Sequence, residues 1–116
     1  GIAISGLLSA LPGRYTSSDR LQSFPVETSR RLIGAWGADP SQFSAFLDGK
    51  YGSPVSHDLT DGLRVVFDDQ AIIHLRPSGN APELRCYCEA STPEVAEEMT
   101  KAVLARISQA AGEGSI

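Results

Sequence analysis

The sequence has few of the residues that build metal sites, disulfide scaffolds or membrane spans. Its 116 residues include two cysteines, two histidines, one methionine and one tryptophan. No apolar run approaches the roughly 18 residues that a bilayer-spanning helix needs, so we expect no membrane partner. Positive charge is also scarce, with 10 Lys and Arg against 14 Asp and Glu and a formal net charge of -4. This balance argues against nucleic acid as a partner, and any anion site must be local.

The length and composition predict one compact domain. A hydrophobic share of 41% in 116 residues suffices for a single core without disulfide or metal support. Cys86 and Cys88 are separated by one residue in an apolar segment, so on a strand they point to the same side and make poor disulfide partners. We interpret them as two buried thiols in a reducing compartment, which predicts a cytoplasmic protein.

The chain begins at Gly1, and no basic segment precedes its apolar opening as in a secretory signal. A helical pattern over residues 4–11 stops at a Pro-Gly pair. We therefore expect a processed chain, a recombinant product or a fragment of a longer protein. In the predicted organisation, residues 1–13 are the end of a helix or a linker from a preceding domain, residues 14–110 are the domain, and residues 111–116 are a flexible tail.

The first half of the predicted domain contains one strand and two helices. The stretch "RYTSSDRLQSFP" favours an extended chain that Pro25 closes. From Glu27 the apolar residues recur at helical spacing until Gly37. Asp39 then has the position of an N-cap, followed by proline at the first helical position, which predicts a short second helix to about Leu47.

The second half predicts three antiparallel strands and a covering helix. The extended segments are "VSHDLTDGLRVVF", "AIIHLRP" and "ELRCYCEA", and in the last one apolar and polar residues alternate, which predicts one core face and one wetter face. A helix that begins after Thr92 carries an apolar stripe at Val95, Met99, Val103 and Ile107. The order predicts an α+β domain, a small and mainly antiparallel sheet with helices packed on one face.

The loop between the last two strands is the candidate functional site. Arg76 ends one strand, because the following proline has no N–H to continue the ladder. Ser78 supplies a hydroxyl, Gly79 permits positive φ, and Asn80 supplies an amide. With Arg85 at the start of the next strand, two guanidinium groups flank the loop, which fits a phosphate dianion. The residues alone leave a second interpretation open, an ordinary hairpin loop whose arginines keep the sheet soluble.

The other polar candidates are interpreted as structural. His74 precedes the loop and is expected to be a partly exposed strand histidine. His57, Asp58 and Asp61 could suggest a metal cluster, but aspartates beside glycine are more often turn formers. We therefore predict no metal-binding residue in this chain.

The segment "RPSGNAPELR" with the following "CYCEA" resembles the phosphate-binding loop of the C-terminal domain of the α-D-phosphohexomutases, the family of phosphomannomutase, phosphoglucomutase and phosphoglucosamine mutase. Upstream, "YTSSDRLQSFP" and "LTDGLRVVF" are similar to the same domain in the same order, so the resemblance covers about residues 14–108. The Asn-Ala-Pro version is most similar to the bacterial phosphomannomutase/phosphoglucomutase enzymes, since the phosphoglucosamine type usually reads Thr-Glu-Pro there.

The resemblance implies a TATA-box-binding-protein-like fold and a loop that binds the phosphate that is not transferred. In such an enzyme a phosphoserine of the first domain donates its phosphoryl group to mannose or glucose 1- or 6-phosphate, and the resulting bisphosphate turns around. By position, the resemblance implies phosphate contacts at Arg76, Ser78, Gly79 and Asn80, and at Arg85, which some members lack. Asn80 stands where many relatives have threonine, so its contact could be through the backbone.

Three motifs of the family are absent from these 116 residues: the phosphoserine loop resembling Thr-Ser-His-Asn-Pro, the magnesium loop DGDxDR and the sugar loop around Gly-Glu-Met-Ser. The resemblance therefore implies one domain of a larger isomerase of the intramolecular phosphotransferase type. Its partners would be the hexose phosphate and the other domains, one of which would hold Mg²⁺. The isolated domain should be inactive. The alternative is a stand-alone module that binds phosphorylated ligands without catalysis.

Overall fold

The computed structural model describes residues 14–78 and 81–114, which form five strands and three helices. The predicted helix over residues 4–11 lies outside the described residues. The elements in chain order are β1 (Tyr15–Gln22), α1 (Val26–Ala38), α2 (Pro40–Phe46), β2 (Pro54–Asp58), β3 (Leu63–Phe67), β4 (Ile72–Pro77), β5 (Glu83–Ala90) and α3 (Pro93–Glu113).

The strands form one sheet in the order β1-β5-β4-β3-β2, and all neighbouring strands are antiparallel. Strands β2 to β5 follow one another as a meander, and the last of them, β5, also pairs with β1, the first strand of the chain. The helices pack on one side, so the predicted α+β class is confirmed. The arrangement is compatible with the TATA-box-binding-protein-like fold that the resemblance implies.

The sheet has one strand more than the sequence pattern predicted. The segment "VSHDLTDGLRVVF" was expected to be one extended stretch, but it folds back on itself as β2 and β3. The turn is local in origin. The Asp58 carboxylate accepts hydrogen bonds from the N–H and the hydroxyl of Thr60, and Gly62 adopts a φ of +79°. An aspartate that bonds two residues onward, followed by a left-handed glycine, reverses the chain.

The core lies between one face of the sheet and the helices. Helix α1 lies against β3, β4 and β5, and α3 lies against β1 and β5. An aromatic cluster joins α1 and α2, where the ring centroid of Trp36 lies 4.6 Å from that of Phe43 and 5.0 Å from that of Phe46. The fully buried strand residues on this covered face are Leu63, Val65, Phe67, Ile73, Leu75, Leu84, Cys86 and Cys88.

The cysteines are buried free thiols, as predicted. The Sγ atoms of Cys86 and Cys88 lie 3.7 Å apart. A hydrogen bond with Cys88, together with burial, raises the pKa of the Cys86 thiol. The Cys86 thiol is therefore a weak nucleophile, and because both side chains are buried we assign the pair to core packing.

Helix α3 begins where the sequence predicted, but its apolar stripe is placed differently. Thr92 caps it as predicted, accepting a hydrogen bond from the N–H of Val95. Placing Val95 in the apolar stripe was wrong, because its side chain is 43% exposed and the buried stripe begins at Ala96. The helix continues to Glu113 and is capped by Gly114 in the left-handed region. Within residues 14–78 and 81–114, no helix is long and apolar enough to cross a membrane.

The second face of the sheet is polar, and we call it the open face. Within the described residues, no helix packs against it. Its residues on β1, β3, β4 and β5 are Thr16, Ser18, Arg20, Gln22, Arg64, Val66, Ile72, His74, Arg76, Glu83, Arg85, Tyr87 and Glu89.

Candidate functional site

The β4–β5 loop is closed by backbone hydrogen bonds on both sides. The N–H of Ser78 donates to the carbonyl of Glu83 over 3.0 Å, and the N–H of Glu83 donates to the carbonyl of Ala81 over 2.8 Å. The N–H of Phe24, just after β1, donates to the carbonyl of Pro82 over 2.7 Å. The loop is therefore hydrogen-bonded to the residue after β1 as well as to its own strands. The backbone N–H of Ser78 helps to close the loop.

The predicted contacts at Gly79 and Asn80 lie outside the described residues and stay predictions. The boundaries around them agree with the sequence reasoning. Strand β4 ends at Pro77, and β5 begins at Glu83, so proline ends the ladder where its missing N–H predicts.

The two predicted arginines are directly opposite each other. Arg76 on β4 is paired with Arg85 on β5 in the sheet register, so both side chains leave the same face at the mouth of the loop. Each is already paired with a carboxylate. The Nε atom of Arg76 lies 3.1 Å from Oδ2 of Asp61, and that of Arg85 lies 3.3 Å from Oε2 of Glu83. The arginine side chains are 40% and 46% exposed, and ion pairs of such exposure are worth about 1 kcal/mol or less.

Gly62 holds the β2–β3 turn against the strand that carries Arg76. A Cβ atom at Gly62 would lie 2.1 Å from the carbonyl oxygen of Leu75 and 3.1 Å from the Cα of Arg76. Only glycine permits this approach. The turn brings Asp61 to Arg76, and the ring Nε2 of His74 bonds to the carbonyl of Asp61. The sequence identified a turn here but not its contact with β4.

Tyr87 occupies the next row of the open face, beside both arginines. The guanidinium carbon of Arg76 lies 5.9 Å from the Tyr87 ring centroid. Hydrogen bonding to Tyr87, followed by that to Glu83, raises the pKa of Arg85. The His74 ring centroid is 5.8 Å from that of Tyr87, so His74 shares the face with Arg76, as its position in the strand predicted. Alternation along β5 could have identified Glu83 and Tyr87 as site residues, because both share a face with Arg85.

The carboxylates near the loop do not form a cation site. Asp58 is bonded to Thr60, and Asp61 is paired with Arg76. In the part of the chain that the structure describes, no group of three or more His, Cys, Asp or Glu side chains could hold a metal ion. The bonds from Thr60 to Asp58 agree with the interpretation of that aspartate as a turn residue.

The fold and the loop together define the class of domain to which the chain belongs. It is an α+β domain that presents arginines from two adjacent antiparallel strands at the mouth of a hairpin loop. The family model described as "Phosphoglucomutase/phosphomannomutase, C-terminal domain" matches residues 20–106. The chain belongs to this family, as its resemblance to the phosphohexomutases predicted.

Two curated relatives carry the name phosphomannomutase. The protein of Salmonella muenchen is 44% identical over 110 residues, which cover 95% of this chain and 23% of the relative. The protein of Sinorhizobium fredii (strain NBRC 101917 / NGR234) is 38% identical over 96 residues, which cover 83% of this chain and 20% of the relative. The chain thus spans less than a quarter of the length of either relative.

Proposed function

We propose that this domain binds the phosphate group of a hexose phosphate at the β4–β5 loop, as the C-terminal part of a phosphomannomutase/phosphoglucomutase. The contacts are Arg76, Ser78, Gly79, Asn80 and Arg85. They hold the phosphate that is not transferred while phosphoryl transfer takes place elsewhere. The observation that carries the proposal is the sheet register, which sets Arg76 directly opposite Arg85 on the open face.

The affinity follows from the groups at the loop mouth. Charged hydrogen bonds contribute roughly 1.5–3 kcal/mol each. Four or five contacts, some of them neutral, against an association cost of several kcal/mol give a Kd on the order of millimolar for the isolated loop. The carboxylate partners of the arginines do not prevent binding, because exposed ion pairs are weak and a phosphate dianion carries more charge than either carboxylate.

A loop that recognises phosphate and little of the sugar suits a reaction in which the bisphosphate turns around. The same loop can then hold a phosphate attached to either end of the hexose, mannose or glucose. Positioning is the main service that a protein gives to phosphoryl transfer. In this proposal the phosphoserine, the Mg²⁺ site and the sugar contacts belong to other domains of a cytoplasmic enzyme, and the isolated domain has no mutase activity.

The test is an NMR titration of the ¹⁵N-labelled chain with inorganic phosphate, mannose 1-phosphate and unphosphorylated mannose. We expect the amide signals of the non-proline residues between 76 and 85 to shift with both phosphates and not with mannose. Arg76→Gln should weaken phosphate binding by about tenfold, because it removes one charged contact. The matched control is Arg64→Gln, which removes an arginine from the same face on the next strand, β3.

Three results would contradict the proposal. The loop signals could fail to respond to high millimolar phosphate, they could respond equally to mannose, or Arg64→Gln could weaken binding as much as Arg76→Gln. The last result would indicate diffuse attraction to the open face rather than a site at the loop.

A further inference from the structure

A third arginine continues the row formed by the two predicted ones. Arg20 on β1 is paired in register with Arg85 on β5, which is paired in turn with Arg76 on β4. Three guanidinium side chains therefore leave the same face in one line across three adjacent strands. Like charges directly opposite each other on a sheet are destabilising. An anion bound beside the row would reduce this repulsion.

Glu83 supplies an anion to two of the three arginines. Its Oε1 atom lies 3.9 Å from Nε of Arg20, and its Oε2 atom lies 3.3 Å from Nε of Arg85. The Glu83 side chain is only 12% exposed, whereas those of Arg20 and Arg85 are 53% and 46% exposed. The Glu83 carboxylate is thus mostly buried between the two guanidinium groups, and each guanidinium group remains partly exposed to solvent.

The space above this pair is an open groove of about 330 Å³ between β1 and β5. Its lining residues are Ser18, Asp19, Arg20, Arg85 and Tyr87. Arg85 both lines this groove and is one of the proposed phosphate contacts. A tetrahedral phosphate can offer separate oxygens to separate guanidinium groups, as the two carboxylate oxygens of Glu83 already do.

We propose that Arg20 is a third phosphate-contacting arginine, and that Glu83 is an internal counter-anion which the ligand's phosphate displaces from Arg20 and Arg85. This inference rests on the proposed function of the loop. Glu83 keeps the two guanidinium groups together before the ligand arrives. It also weakens phosphate binding by competing for them, which favours release of a phosphate that must exchange places with another during each cycle.

The test compares phosphate affinity of the wild-type chain with that of Glu83→Gln and Arg20→Gln. Glu83→Gln should bind phosphate about threefold more tightly, because a competing charge of the strength of an exposed ion pair is removed. Arg20→Gln should bind about threefold more weakly, with Arg20→Lys in between, since lysine keeps the charge but loses the planar fork. The Nε–H signals of Arg20 and Arg85 should shift during the titration of the wild-type chain.

The matched control is Glu89→Gln. Glu89 lies on the same strand and face, pairs with Arg14 over 3.2 Å, and has a side-chain exposure of 14%, close to that of Glu83. A purely structural role for Glu83 predicts that both glutamine variants change the unfolding temperature and that neither changes phosphate affinity. Amide spectra of each variant identify those that remain folded, and only these enter the comparison.

The outcomes separate the two proposals. If the wild-type loop binds phosphate and neither Glu83→Gln nor Arg20→Gln changes the affinity, the counter-anion inference is overturned and the proposed function stands. If only Glu83→Gln binds phosphate, the inference is supported, because the internal carboxylate then blocks the site. If no chain responds to phosphate, both proposals fall.

Discussion

The two faces of the sheet are built from the same five strands and have opposite properties. On the covered face, the side chains of β3, β4 and β5 are apolar or thiol and are buried under the helices. On the open face, or just before β1 in the case of Arg14, lie five of the chain's 10 basic residues, namely Arg14, Arg20, Arg64, Arg76 and Arg85. Stability is therefore concentrated on one side of the sheet, and charged groups able to bind an anion on the other.

This separation makes the phosphate site proposed above compatible with a net charge of -4 for the whole chain. Three of its acidic residues, Glu94, Glu97 and Glu98, are exposed at the start of α3, on the far side of the sheet from the arginines. At an ionic strength of about 0.1 M, charges more than roughly 10 Å apart hardly sense each other across solvent. The charge of the whole chain is thus a poor guide to the local field of one face.

The largest effect that we predict compares two adjacent isoleucines on β4. Ile73 is 0% exposed on the covered face, and Ile72 lies partly buried on the open face. Ile73→Ala should lower the free energy of unfolding by about 3–5 kcal/mol, because it removes buried methyl groups and leaves a cavity. Ile72→Ala should cost less than about 1.5 kcal/mol, since its site can fill with water. Urea unfolding measures both.

The pair controls for β-propensity, because both substitutions are the same and lie in the same strand. Equal costs for the two variants would break the comparison. They would mean that the open face is packed against something in solution, and that the polar site is smaller than the structure indicates.

The second prediction concerns Gly62, which lets the β2–β3 turn lie against the backbone of β4. Gly62→Ala forces a Cβ into the backbone of β4 at a positive φ, which should cost about 2–5 kcal/mol. Gly49→Ala is the control, with a φ of +66° and nothing within 4 Å of the added atom; it should cost about 1 kcal/mol. Thermal or urea unfolding distinguishes the two.

If the Gly62→Ala variant still folds, its affinity for phosphate gives a second measurement. Because the added atom presses on Leu75 and Arg76, phosphate binding should weaken in this variant and not in Gly49→Ala. Equal stabilities for the two variants would show that β4 moves aside freely, and that Gly62 does not position Arg76.

Much of the covered face was predictable because its signals are local. Alternation along β5 identified its core residues, and Thr92 and Asp39 cap α3 and α2 as the sequence indicated. The apolar stripe of α3 was misplaced at its first position, Val95. A helix start leaves several apolar residues that could face the core, and the choice depends on where the sheet lies beneath them.

The open face was predictable only in part, because its site depends on register. Arg76 and Arg85 are close in sequence and flank one loop, so a hairpin pairing suffices to bring them together. Arg20 reaches the same row from a strand more than 60 residues away, and nothing local fixes which residue of β1 lies opposite Arg85. Glu83 was similarly missed as a partner of two arginines, because its role requires both neighbouring strands to be in place.

The smallest predicted effect concerns the polar turn at the edge of the open face. Hydrogen bonds from the hydroxyl and then the N–H of Thr60 lower the pKa of Asp58. Because the pKa is lowered in the folded state, the contribution to stability is present above the unfolded value of about 3.9 and is lost as pH falls through the folded value.

Thr60→Val removes the hydroxyl, so the pKa of Asp58 should rise towards its ordinary value and the loss of stability below about pH 4 should become shallower. NMR titration of the Asp58 carboxyl checks this, with Thr16→Val on β1 as a control that should leave it unchanged. An unchanged pKa in Thr60→Val would mean that this exposed hydroxyl bond does not persist in solution, and that the open face is held at its edge by the backbone and Gly62 instead.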